Sequence, residues 1–563
     1  MTRVVAEARA ARYRIPIGLV NLMAMRATAL AVMLALCSSL AAAQESRPYR
    51  PGIDVLDYAL AIELPDTGAT IKGDATLTVK RTARTDTLVL DLRKLRVQRV
   101  TLDNRARTFV RNDSTIRIPL PAGDTGTFKV RVVYDGAVTD GLLVKQDSLK
   151  RWSYFGDNWP NRARFWIPSV DHPSDKATVT WIVTVPRGRT VIANGSLVAT
   201  RTTGRGRRAR TTTRWRESKP IPPYLVVIGA APLTKVDLGQ TACGLADGRR
   251  CLTQSVYVAP ELRRTMPGNF AKAGEIVRFY ASRIGPFPYE KLAHVHSSSR
   301  YGGMENASAI FYSDQAFRVR GVREGLIAHE TAHQWFGDAV TEREWPHLWL
   351  SEGFATYFAA LWTQRAHGDS AFRDEMAGIR RRILDDTSAV PKRPVIDSIT
   401  TDLMELLNRN SYEKGGFVLH MLRREIGDGN FFAGLRAYYA KYKHRTALTD
   451  DLRSALETAS GRTLGPFFDQ WLRRAGYPEI DVTWSDSALT SLQVNITQSG
   501  RFGLFEFPLQ LALVDPDGNT RRVEVSVPAQ LITKVLLPVT GSVARIDVDP
   551  DVWLLARINV QKQ

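Results

Sequence analysis

Cysteine is scarce in this chain, with three residues in 563, too few for a fold built on a disulfide framework. No apolar run reaches the ~20 residues that a bilayer-spanning helix needs. Internal repeats and low-complexity linkers are missing too, which excludes a solenoid or a largely disordered scaffold. Acidic residues are outnumbered, 57 against 77 lysines and arginines, giving a formal charge of +20. The excess is arginine scattered along the whole chain rather than gathered into one stripe, so the charge does not make nucleic acid a partner. Histidine is also rare, at nine residues, and two of them at a fixed short spacing are therefore informative.

What is present is an ordinary globular composition, 44% hydrophobic and 24% charged, at a length that calls for several cores rather than one. Residues 1–43 read as a secretory signal: Arg26 precedes the apolar run Ala27 to Leu36, and the small residues Ala41-Ala42-Ala43 follow. Cleavage is expected after Ala43, and Met23 or Met25 makes the more ordinary start. The alternative, a single membrane anchor, needs a longer apolar run. Lipidation at Cys37 is disfavoured by the bulky Leu36 before it. Loss of this segment leaves a charge of +16, because five arginines and one glutamate go with it. It also leaves Cys243 and Cys251 around the turn-rich Gly244-Leu245-Ala246-Asp247-Gly248. In an oxidising compartment that pair can close a loop, and otherwise it is two free thiols. The expectation is an exported protein, periplasmic or extracellular, with no transmembrane span in its mature chain. Its oligomeric state is not legible.

Residues 44–240 show β periodicity, as in Ala75, Leu77 and Val79 against Thr76, Thr78 and Lys80. The arginine-rich tract Gly204 to Arg210 lies between two such runs and reads as a solvated loop. Residues 241–476 change character. Apolar residues at helical spacing run from Ala271 to Tyr280, Arg323 to Phe336 and Leu348 to Ala366. After Tyr477-Pro478, alternation returns through Leu492, Val494 and Ile496 and through Val523, Val525 and Val527, around an Asp515-Pro516-Asp517-Gly518-Asn519 turn. The predicted fold is a multidomain α+β protein: an N-terminal all-β domain (44–240), a mixed α/β domain (241–476) and a small C-terminal β-sandwich (477–563).

The sharpest motif is His329-Glu330-Thr331-Ala332-His333 within a helical run. Residues four apart share one helix face, so both imidazoles can address a single ion, and neutral imidazole suits zinc. A catalytic zinc typically takes three protein ligands and leaves one position open. Glu352 is the third candidate, an acidic residue in the apolar run Leu348 to Tyr357 that is costly there unless paired or metal-bound. Its other reading is a solvated or ion-paired glutamate. Glu330, beside a ligand but turned elsewhere, can act as general base and acid on a zinc-activated water. It could instead brace a histidine, a role that Asp338 or Glu324 could fill.

Taken with Gly302-Gly303-Met304-Glu305-Asn306 upstream and Tyr412-Glu413-Lys414-Gly415 downstream, this motif resembles the M1 family of zinc aminopeptidases. Gln334-Trp335-Phe336-Gly337-Asp338 and Phe467-Phe468-Asp469-Gln470-Trp471 agree. The resemblance implies a thermolysin-like catalytic domain, one zinc ion per chain held by His329, His333 and Glu352, and peptide substrates with a free N-terminus. It also implies that Gly302, Gly303, Met304, Glu305 and Asn306 line the cleft, that Glu305 holds the substrate's α-amine, and that Tyr412 stabilises the oxyanion. Two features depart from the family. Trp159 stands where a second amine-binding carboxylate or amide is usual, with Asp157 or Asn158 as possible substitutes from a shifted loop. The chain also closes with a small β-domain where several members of the family carry a helical roof, which predicts a more open site. A zinc endopeptidase and a non-catalytic zinc-binding scaffold of the same fold remain the competing readings.

Overall fold

Alternating side chains set up the first layers. In the strand Thr70–Arg81 every second residue is turned inward, Ile71, Ala75, Leu77 and Val79 among them, as a half-buried strand requires. This computed structural model describes residues 49–563 apart from 124, 320, 321 and 489. The expected signal segment, 1–43, lies outside the described residues. Gly52–Gln563 form one compact unit.

Thr70–Arg81 sits inside an eight-stranded sheet, between Ile53–Glu63 and Gly126–Ala137. Ile53–Glu63 pairs in parallel with Ala177–Pro186, Asp57 opposite Thr178, while the other pairings in this sheet are antiparallel. A four-stranded sheet (Leu142–Gln146, Trp152–Gly156, Thr190–Ala193, Ile228–Ala231) accompanies it. The arginine-rich tract is the connection of an antiparallel pair, Ser196–Thr203 with Arg210–Ile221, and its arginines at 205, 207 and 208 are exposed.

The next sheet carries the site. Its five strands run in the order Thr234–Ala242, Arg250–Val258, Lys291–Ser297, Ala309–Ser313, Gly303–Met304, so the short last strand is an edge. Beside it lie the helices Glu324–His333, Trp349–Leu384 (interrupted at Gly368) and Gly415–Tyr442 (interrupted at Gly427). Trp335, Phe336, Trp349, Phe354 and Phe358 are buried between them, a run of aromatic contacts that fixes how the helices meet.

Two small sheets close the chain, one of Glu479–Ala488, Ser491–Gln498, Ile532–Pro538 and Arg557–Lys562, the other of Phe507–Val514, Thr520–Val527 and Arg545–Val548. The expected turn joins Phe507–Val514 to Thr520–Val527, with Gly518 at φ +88°. Cys243 and Cys251 are disulfide-bonded. No helix among the described residues is long and apolar enough to cross a membrane.

Candidate active site

Helical spacing does what it predicts. His329 and His333, one turn apart on Glu324–His333, bring their Nε2 atoms to 3.1 Å. Glu352, in the first turn of Trp349–Leu384, places Oε2 3.3 Å from each of them. Three ligand atoms each ~2.0–2.1 Å from one tetrahedral centre would be about 3.3 Å apart, so this triangle has the size of one face of a tetrahedral zinc shell, with the fourth corner open. Oε2 of Glu352 is buried and accepts no hydrogen bond, the condition of an atom waiting for a cation. The donor set of two imidazoles and one carboxylate fits zinc.

Burial works to raise Glu352, but the charge on His333 and the contacts of both rings outweigh it and hold the carboxyl below the usual range. His329 is lowered by burial. In His333 burial is overcome by the surrounding carboxylates of Glu352, Glu305 and Glu330, which raise it. His333 is oriented from behind: Nδ1 lies 3.0 Å from Ser351 Oγ and 3.3 Å from the Phe336 carbonyl. Neither acidic residue considered for that role reaches it. Glu324 faces the other side of its helix, bonded to Lys272 and the Trp362 indole, and Asp338 accepts from Gln334. Ser351 escaped the sequence reading, although it adjoins a ligand.

Glu330 is buried and packed against Gly303, where a Cβ would stand 2.2 Å from its Oε1. Burial raises its proton affinity. A carboxylate oxygen of Glu330, one of Glu305 and a ring nitrogen of His333 lie within 4.8 Å of one another. Glu305 follows the edge strand, and its backbone carbonyl accepts from Gln334 Nε2 at 2.8 Å. The other amide atom, Gln334 Oε1, accepts from Ser308 N at 2.8 Å, so a single side chain clamps this strand to the histidine helix. Burial pushes Glu305 up to about 7, with His333 pulling it down and Glu352 adding to the rise.

Tyr412 belongs to a π-turn, Asn410–Lys414, closed by Lys414 N to Arg409 O at 2.8 Å. Its hydroxyl donates to Glu352 Oε1 at 2.9 Å, and its ring stacks near His329 with centroids 6.2 Å apart. Burial and the nearby carboxylates keep the phenol protonated, as a donor must be. Gly353 makes this approach possible: a Cβ there would meet the Gly415 backbone at 2.9–3.0 Å.

The three candidate ligands, Glu305, Glu330 and Tyr412 open on one cavity of about 1010 Å³. Gly302, Gly303, Met304 and Glu305 line it together with the ligands, Glu330 and Tyr412, while Asn306 is fully buried and off the wall. Trp159 does line the cavity, packed edge-on to Tyr301 with centroids 6.4 Å apart. Its neighbours do not replace it. Asp157 pairs with Arg162 at 2.7 Å, and Asn158 is spent on Pro223, Val226 and Trp166. The cavity therefore offers aromatic surface where a second amine contact was expected.

The chain matches the model of the peptidase M1 N-terminal domain over residues 55–225 and that of the peptidase family M1 domain over residues 269–471. It is 30% identical to glutamyl aminopeptidase of Homo sapiens over 344 residues, 58% of this chain and 34% of that protein. With probable aminopeptidase 2 of Sulfurisphaera tokodaii it shares 27% over 451 residues, 75% of this chain and 54% of the relative. The chain thus spans about a third to a half of the length of these curated relatives. Among solved structures, the M1 zinc metallopeptidase of Deinococcus radiodurans aligns with a TM-score of 0.66 at 27% identity, over 76% of this chain and 95% of that one. A mutant of the same enzyme bound to a Tyr-Ser-Ala substrate aligns at 0.65 and 26%, over 75% and 94%.

Proposed function

We propose that this chain, which belongs to peptidase family M1, is a zinc-dependent aminopeptidase that removes the first residue from peptides with a free N-terminus. His329, His333 and Glu352 would hold the one zinc ion. When bound, the ion lowers the pKa of water toward ~7 and polarises a carbonyl.

The observation that carries the reading is Glu305, a buried carboxylate on the wall of the same cavity as the ligand triad. An α-ammonium paired with it leaves only the first amide of a peptide beside the triad. Glu330, held on Gly303, takes the proton from the attacking water and returns it to the departing amine. Tyr412 donates to the oxygen on which charge develops, a contact typically worth about 3–4 kcal/mol in the transition state. The edge strand, paired on one side only, offers the substrate's main chain a partner.

An endopeptidase would use the triad and Glu330 but leave Glu305 without a task; a scaffold would need neither. Hydrolysis of free-amine against N-acetylated aminoacyl substrates decides. The proposal expects turnover of the free amine alone; equal turnover of both refutes it in favour of an endopeptidase, and bound zinc without hydrolysis favours the scaffold. Export is part of the same proposal, from the signal-like residues 1–43, and a Cys243–Cys251 disulfide is in keeping with an oxidising compartment.

A further inference from the structure

Four carboxylates face the cavity, those of Glu305, Glu330, Glu352 and Glu375, and the residues described on its wall include one arginine, Arg323. Three of those carboxylates have tasks at the triad or the amine. Arg323 has none. It is exposed, and among the described residues it makes no ion pair or side-chain hydrogen bond. Its backbone is extended (φ −69°, ψ 144°) where the chain enters the histidine helix, so its place relative to the triad is set by that helix. It stands six positions before His329, about 9 Å along the axis.

We infer that Arg323 recognises the C-terminal carboxylate of short peptide substrates. The inference rests on the aminopeptidase reading above. With the α-amine at Glu305 and the first amide beside the triad, the terminal carboxylate of an extended tripeptide lies two residues on, about 7 Å away. That distance and the long arginine side chain together match the offset along the helix. A guanidinium presents paired N–H donors that suit a carboxylate, whereas a lysine would offer only a point charge. The remaining acidic group on the wall, Glu375, makes the discrimination sharper: a carboxylate is welcome at Arg323 and unwelcome beside Glu375. Because Arg323 is solvent-exposed, its contribution is a modest, salt-sensitive gain in affinity.

The test compares kcat/KM for Leu-Gly-Gly and its C-terminal amide with the full chain and with Arg323→Gln and Arg323→Lys. The free acid is expected to be favoured about fivefold, through KM, with the preference shrinking at high salt. Arg323→Gln should bring the ratio to about one, and Arg323→Lys should retain part of it. An amidated tripeptide with glutamate at its third position identifies the source of the carboxylate: no gain over the neutral amide assigns the site to the chain terminus, and a gain equal to that of the free acid refutes that assignment. A free-acid preference unchanged in Arg323→Gln, or absent from the unmodified chain while both peptides are cleaved, overturns the inference and leaves the aminopeptidase reading intact. Failure to cleave either unblocked peptide overturns both.

Discussion

Gly303 and Glu330 touch so closely that no side chain fits between them: a Cβ on the glycine would lie 2.2 Å from Oε1 and 2.3 Å from Cδ of the glutamate. The edge strand is thus the surface on which the general base rests. Gly303→Ala must push that carboxylate aside, and kcat should fall on the order of a hundredfold, the typical cost of a misplacement near 1 Å. The three atoms nearest that Cβ all belong to Glu330 rather than to a metal ligand, so zinc content should hold. Steady-state kinetics and metal analysis on the same preparation check both halves.

Ser351 holds His333 from behind at 3.0 Å. Removing its hydroxyl leaves the imidazole without one of the two partners that set its orientation and tautomer. Ser351→Ala should therefore weaken zinc binding by about 10- to 100-fold, read by competition with a chelator. Unaltered affinity would mean that the Phe336 carbonyl, at 3.3 Å, is sufficient.

Tyr412→Phe keeps the ring that stacks near His329 and deletes the donor. The expected result is a loss of about 10² to 10³ in kcat with a much smaller change in KM, because the hydroxyl acts on charge that exists only in the transition state. A rise in KM alone would move Tyr412 from catalysis to ground-state binding.

The features legible in the sequence are those governed by local periodicity. Alternation in Thr70–Arg81 foretold a half-buried strand, and a four-residue spacing foretold that His329 and His333 would converge. Glu352 followed because an acid in an apolar helical run needs a reason to be there. What stayed hidden depends on segments that meet only after folding. Gln334 spans from the histidine helix to the Glu305 backbone, and Ser351 reaches a ring on another helix. The segment before Trp159 turns Asp157 and Asn158 into the protein and leaves the indole at the cavity. Glu324, five positions before His329, lies ~140° around the helix from it and bonds Lys272 instead.

Acid should loosen the contact between the helix Gly415–Tyr442 and the C-terminal region through His420. This imidazole is buried, with Nε2 3.1 Å from the Val552 carbonyl and its ring stacked on Trp553 at 4.3 Å. Burial lowers it from the ordinary imidazole value of 6.5 to about 3, against the pull of that carbonyl. The folded-state value is the lower one, so below pH 6.5 the unfolded chain takes up a proton that the folded chain refuses. Stability then falls as pH drops from 6.5 toward 3, by about 2 kcal/mol at pH 5 from this group, and is unaffected by it above 6.5. Urea midpoints at pH 7.5 and 5 should differ less in His420→Gln than in the unmodified protein. His294, also lowered to about 3 by burial, supplies part of the remaining acid sensitivity.

Zinc stoichiometry and turnover measured together on Glu330→Gln test the central claim most directly. The amide is nearly isosteric, leaves His329, His333 and Glu352 in place, and cannot accept the proton. One zinc per chain with hydrolysis of a free-amine substrate abolished is the predicted result. Undiminished hydrolysis, or protein that carries no zinc with all three ligands intact, would contradict it.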